Sequence, residues 1–188
     1  MYTEWLNRLS GMSSPRVLEI GTKAWDGKPS RHHRSDILTA NPMSIWDGLD
    51  TEPGEDVTIV SDIHSVSEIV PADTFDMLLC PSVLEHLRRP WVAARQLASI
   101  SKVGAMLLVN THQSFPYHPY PKDYYRFSIE GLEEVFAPDA GWKVVRSEYQ
   151  FPCQVTPKTN VFAHAQDWNF EAQAWLNVSC IAERVKHG

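Results

Sequence analysis

The chain has 188 residues, 43% of them hydrophobic and 21% charged, a balance normal for a soluble globular protein with a real core. Its formal net charge of -6, histidines neutral, disfavours a nucleic-acid phosphate backbone as partner. Cys80, Cys153 and Cys180 form no CxxC pair, so they suggest neither a zinc site nor a disulfide framework, and no apolar run approaches the roughly 20 residues of a membrane span.

Residues 2–9 predict a short helix with Trp5, Leu6 and Leu9 on one face. Residues 16–21 (RVLEIG) predict a first strand, its near-continuous apolar run suited to a parallel strand covered on both faces. A short polar helix is expected from Ser30, a good N-cap, to about Leu38. Residues 44–50 (SIWDGLD) and 56–61 (DVTIVS) predict the second and third strands, and residues 66–70 a short helix. Residues 75–80 (FDMLLC) predict the fourth strand. Ser82 with Glu85 three residues on reads as a capping box. Pro90 opens the next helix, on which Trp91, Ala94, Leu97 and Ala98 share a face and which Gly104 ends. Residues 105–109 predict the fifth strand, 129–136 a helix capped by Ser128, 142–149 the sixth strand and 174–184 the last. Strands alternating with helices predict an α/β fold built on a doubly wound, mostly parallel sheet. With no signal-like N-terminus, the expectation is one cytoplasmic domain over residues 1–188. The basic run at residues 28–34 reads as a solvated loop.

Ligands of such sheets bind at the carboxyl ends of the strands, near the switch in strand order. Glu19, Gly21 and Thr22 stand at the end of the first strand, Asp50 at the second, Asp62 and Ile63 after the third, Pro81 and Ser82 at the fourth. An acid ending a second strand can accept both hydroxyls of a ribose. Each residue also has a structural alternative: Asp50 can begin a turn, and Asp62 can cap a helix. Together they suit a nucleoside-containing cofactor.

VLEIG at 17–21, GLD at 48–50, SDIH at 61–64 and FDMLLCPSVLEHL at 75–87 resemble successive motifs of class I S-adenosylmethionine (SAM)-dependent methyltransferases. The resemblance is to the small-molecule, methyltransferase-type-11-like branch. HPYPKDYYRFSIEGLEEVF at 118–136 resembles a segment of bacterial members associated with glycan or natural-product clusters. The resemblance implies a seven-stranded Rossmann-like sheet with its last strand antiparallel, and SAM as cofactor. It assigns Glu19 and Gly21 to the SAM loop, Asp50 to the ribose, Asp62 and Ile63 to the adenine, and Pro81 and Ser82 to the methionine side. One departure stands out: where the family loop reads E-x-G-x-G, this chain has Lys23 in place of the second glycine.

The irregular segment 110–127, rich in proline and tyrosine, follows the fifth strand and is expected to roof the acceptor side. His118, His112 and Asp123 are the candidate bases. Tyr120, Tyr124, Arg126 and His164 are candidate acceptor contacts, although Asp123 and Arg126 read equally well as a structural ion pair. No metal site is expected, because the spacing of His112, His118 and Asp123 matches no compact ligand motif. The expected function is methyl transfer to a small polar acceptor such as a sugar or natural-product hydroxyl. The alternative is a degenerate, non-catalytic binding or assembly module. A nicotinamide enzyme lacks its full GxGxxG, and the acidic charge disfavours an RNA substrate. A homo-oligomer is left open.

Overall fold

The computed structural model describes residues 1–24, 33–119, 121–155 and 173–186. A strand buried on both faces sends alternate side chains into two separate cores. β1 (Arg16–Ile20) does this: Val17 enters one core, Leu18 and Ile20 the other. β4 (Phe75–Pro81) repeats the pattern, with Met77 and Leu79 on one side and Leu78 and Cys80 on the other.

Among the described residues, seven strands form one sheet in the order β3-β2-β1-β4-β5-β7-β6. The others are β2 (Ile45–Asp50), β3 (Ile59–Val60), β5 (Ser101–His112), β6 (Trp142–Cys153) and β7 (Ala174–Arg184). The first five pair in parallel, and β7 lies antiparallel between β5 and β6. The expected doubly wound α/β sheet with an antiparallel last strand is therefore present. Helices α1 (Tyr2–Ser10) and α2 (Arg34–Ala40) cover one face through Trp5, Leu9 and Ile37. Helices α3 (Pro90–Ile100) and α4 (Ile129–Val135) cover the other through Leu97, Leu132 and their neighbours. Among the described residues, no helix is long and apolar enough to cross a membrane. Cys80 and Cys180 are buried free thiols, as expected, and burial pushes Cys180 up to about 12.

Several boundaries differ from the sequence expectation. α2 begins at Arg34, after His33; Ser30, the expected cap, lies outside the described residues. β3 has only two residues, Ile59 and Val60, although the Thr58 N–H also donates to the Gly48 carbonyl of β2. There is no capping box at Ser82. That residue has φ +52, and Glu85 turns inward within a one-turn 3-10 helix, Leu84–His86. α3 stops at Ile100, short of Gly104, because Ser101 already pairs with Phe75 in the sheet. The short helix expected at 66–70 is a 3-10 helix at Ile63–Glu68, capped by Asp62.

Gly48 allows the closest approach in this half of the sheet. A Cβ there would overlap the Asp56 carbonyl oxygen, the Thr22 hydroxyl and the Trp46 ring. Gly48→Ala is expected to lower stability by about 1–3 kcal/mol through overpacking, with a reduced midpoint in urea unfolding; an unchanged midpoint would show that these segments part without cost.

Candidate active site

The loop after β1 folds back over the end of β2. Gly21 turns the chain at φ +80, and a Cβ on it would come within 2.6 Å of Val83 Cγ2. Its N–H donates to the Leu49 carbonyl at 2.8 Å. Thr22 is buried and its hydroxyl donates to the Asp56 carbonyl at 2.9 Å. Asp50 accepts the Lys23 N–H at Oδ2 (3.0 Å) and the Thr51 N–H at Oδ1 (2.7 Å), so it locks the loop to the strand. The Lys23 ammonium pairs with Glu52. Beneath the loop, Glu19 is buried; it accepts the His33 N–H at 2.9 Å and the Trp46 indole N–H at 3.1 Å. The Glu19 hydrogen bond raises the His33 pKa against the opposing effect of burial.

A cleft of about 390 Å³ opens at these strand ends, a volume within the usual range of small-molecule sites. Ile20, Gly21, Leu49, Asp50, Asp62 and Ile63 line it from one side of the switch in strand order. Ser82, Val83, His86, Lys122 and Tyr124 line it from the other. Ser82 holds a left-handed backbone, uncommon for a residue with a side chain and frequent where a site imposes strain. Asp62 caps the 3-10 helix by accepting the His64 N–H at 2.9 Å, with His64 Nδ1 2.6 Å away. Partial desolvation opposes ionisation of Asp62, but these bonds outweigh it and lower its pKa.

Beside the cleft, a second group of residues surrounds one buried carboxylate. Glu85 is 0% exposed. Its Oε2 accepts the Thr111 hydroxyl at 2.7 Å. Around Oε1 stand three imidazoles: His112 Nε2 at 3.0 Å, His86 Nε2 at 3.8 Å and His118 Nε2 at 3.8 Å. Burial works to raise the Glu85 pKa, yet His112 and Thr111 outweigh it and hold the carboxyl below its ordinary value. Burial opposes charge on His112, and Glu85 prevails, raising its pKa. His118 goes the other way, lowered by burial and then by the charges of His112 and His86.

The segment after β5 is fastened to this group. The N–H groups of Tyr124 and Tyr125 donate to the Glu85 carbonyl at 2.8 and 3.3 Å. Asp123 accepts the His118 N–H at 2.9 Å and takes both guanidinium nitrogens of Arg126, at 2.5 and 2.7 Å. Arg126 also donates to the Phe115 and Pro116 carbonyls. The Arg126 hydrogen bonds pull the Asp123 carboxyl far below the ordinary carboxylate range.

No protein-family model matches the chain, and no curated protein matches it. Solved structures do match. A SAM-dependent methyltransferase of Archaeoglobus fulgidus aligns with a TM-score of 0.67 at 15% identity, over 97% of this chain and 90% of its own. The chain has the class I SAM-dependent methyltransferase fold. The YcgJ protein of Bacillus subtilis shares it at TM-score 0.65 and 16% identity, over 99% of this chain and 100% of its own. So does the cyclase SpnF, at TM-score 0.63 and 13% identity over 98% and 80% of the two chains. The methyltransferase fold thus frames the site without dictating its reaction.

Within that methyltransferase fold, Gly21, Asp50, Asp62, Ile63 and Ser82 line the cleft; Glu19, Thr22 and Pro81 stand behind it. Tyr124 reaches the cleft, whereas His112, His118 and Asp123 gather at the Glu85 group beside it. Tyr120 and His164 lie outside the described residues. Sequence reasoning missed the central position of Glu85, because an acid three residues after a serine has a ready local explanation as a cap. It also gave no role to Asn177, whose Oδ1 lies 3.0 Å from His112 Nδ1.

Arg126 is the clasp of the segment. Arg126→Met keeps the stem and removes five donors, and is expected to cost about 1–3 kcal/mol. Hydrogen exchange should rise at residues 113–127 while α3 stays protected; uniform exchange would show that the clasp is dispensable.

Proposed function

We propose that the protein transfers the methyl group of SAM to a small polar acceptor, a sugar or natural-product hydroxyl being the class the resemblance implies. The observation that carries this reading is the cleft at the switch in strand order, with acids from β2 and the β3 end on one side and His86 and Tyr124 on the other. Asp50, though it receives the Lys23 and Thr51 N–H groups, keeps lone pairs for the hydroxyls of a ribose. In this reading Asp62 and Ile63 meet the adenine, and Gly21 and Ser82 border the methionine portion. Glu19, Thr22 and Pro81 support these residues from behind.

SAM supplies an activated methyl on a sulfonium, so alignment and exclusion of water provide most of the acceleration. Leu49, Ile63 and Val83 give the cleft its dry surface. A hydroxyl acceptor must also lose a proton. His118, whose ring packs 4.9 Å from that of His86 at the cleft wall, is the proposed acceptor of that proton, with His112 as the alternative. Asp123 and Arg126 position His118, and Tyr124 forms part of the acceptor wall. Tyr120 and His164 stay in the proposal on sequence grounds. Two features motivate the non-catalytic reading: Lys23 in place of the family's second glycine, and the short polar helix that follows the loop. The ion pair with Glu52 and the bond to Asp50 instead favour a loop that accommodates lysine.

Calorimetric titration tests the cofactor reading. Asp50→Ala should weaken SAM binding by roughly 1–3 kcal/mol; equal affinity would reduce Asp50 to a turn residue, and no binding by the parent would favour the non-catalytic module. His118→Ala should leave SAM affinity within about threefold. The same variant should slow single-turnover transfer by about two orders of magnitude, and full activity with an unchanged thermal melt would remove His118 from the chemistry.

A further inference from the structure

The tautomers of His86 and His112 in the Glu85 group are set by the atoms behind each ring. His86 Nδ1 lies 2.5 Å from the Lys122 carbonyl, which can only accept, so Nδ1 carries the hydrogen. His112 Nδ1 faces Asn177 Oδ1 at 3.0 Å. The orientation of that amide is fixed because its Nδ2 donates to Asn110 Oδ1 at 3.2 Å. His112 Nδ1 therefore also carries the hydrogen. His118 has Asp123 Oδ2 at 3.5 Å from its Nδ1. His86 and His112 thus have an acceptor behind Nδ1, the Asp123 contact to His118 is an ion-pair distance without a hydrogen bond, and all three rings turn Nε2 toward Glu85 Oε1.

Lone pairs on Nε2 converging on a buried carboxylate oxygen repel one another unless positive charge sits among them. Glu85 Oε1 is buried without a hydrogen-bond partner, and His112 Nε2 stands 3.0 Å from it as an ion-pair contact. A proton on His112 would answer one of the three contacts. A cation would answer all of them. We propose that Glu85, His112 and His118 bind a divalent transition-metal ion of the zinc class, with His86 at its edge. The three ligand atoms lie within 4.8 Å of one another. Ligands about 2.0–2.1 Å from a tetrahedral zinc stand about 3.3 Å apart, so a small inward movement of the His118 ring closes the set. Imidazole nitrogens with one carboxylate oxygen favour zinc, cobalt or iron over magnesium or calcium. Thr111 on the free carboxylate oxygen and Asn177 behind His112 are the outer partners that such ligands characteristically have. The signal that concealed this set in the sequence is its composition: the acid is Glu85 from the fourth strand end, not Asp123, which Arg126 occupies.

The inference goes beyond the cofactor reading and does not depend on it, since the ion is detected with neither SAM nor acceptor; with the ion bound, His112 and His118 are ligands and neither serves as the base. Untagged protein, stripped with a chelator, is titrated with Zn²⁺ by calorimetry and with Co²⁺ by its visible absorption. Stoichiometric binding of both is expected, with no heat from Mg²⁺. His118→Ala and Glu85→Gln should each weaken Zn²⁺ binding by more than tenfold, and Asn177→Ala by about tenfold. Should Glu85→Gln fail to fold, His118→Ala decides, because His118 lies on a loop and its removal leaves the Glu85–Thr111 bond in place. Absence of binding, or binding indifferent to His118→Ala, overturns the proposal and leaves a proton as the charge that balances Glu85.

Discussion

A carboxylate removed from water costs several kcal/mol unless its surroundings replace the lost solvation. Glu85 meets that demand with both ends of the residue. Its side chain takes the Thr111 hydroxyl at the end of β5 and gathers the imidazoles, while its carbonyl takes the N–H groups of Tyr124 and Tyr125. The end of β4, the end of β5 and the aromatic segment are therefore joined at one residue. Remove its charge and the imidazoles lose the acid they face; remove its carbonyl contacts and the wall of the cleft loses two of the bonds that hold it. The Asp50 carboxylate does similar work on the other side of the switch in strand order, but at the surface, where bonds to it are weaker.

What the sequence made legible follows from how far apart the deciding contacts lie. β7 matches its expected span because an apolar run bounded by polar residues needs no distant information. α4 matches because the Ser128 hydroxyl accepts the Gly131 N–H three residues on. The strand-end acids could be placed at the cleft because strand ends are where any open α/β sheet puts its site. Ser82 and Glu85 fit a local capping pattern well, yet Thr111, 26 residues away, claimed the glutamate. Only a fold in hand reveals such competitions.

The acceptor side was legible as a region and not as a mechanism. Proline and tyrosine marked residues 110–127 as a structured cover, and the Asp123–Arg126 pair stood among the alternatives read from spacing. That three histidines from separate segments would face one acid is a property of the closed sheet. No motif spacing encodes it, because 26 residues separate Glu85 from Thr111 and the intervening helix α3 sets the return path.

The antiparallel strand β7 has a further consequence for how the chain assembles. It is the last strand in chain order, yet it sits between β5 and β6 rather than at a border of the sheet. Until it arrives, β5 lacks a neighbour along one flank and β6, the border strand, has none at all. Polar side chains mark where it must stop: Ser179 and Asn177 meet Asn110 across one flank, and Ser179 meets Gln150 across the other. A slip of one residue would turn those groups to the opposite face and bury them without partners. During synthesis the open flanks are adhesive surfaces that wait for the final strand, so the same insertion that seals the native sheet also sets its period of greatest exposure to misassembly.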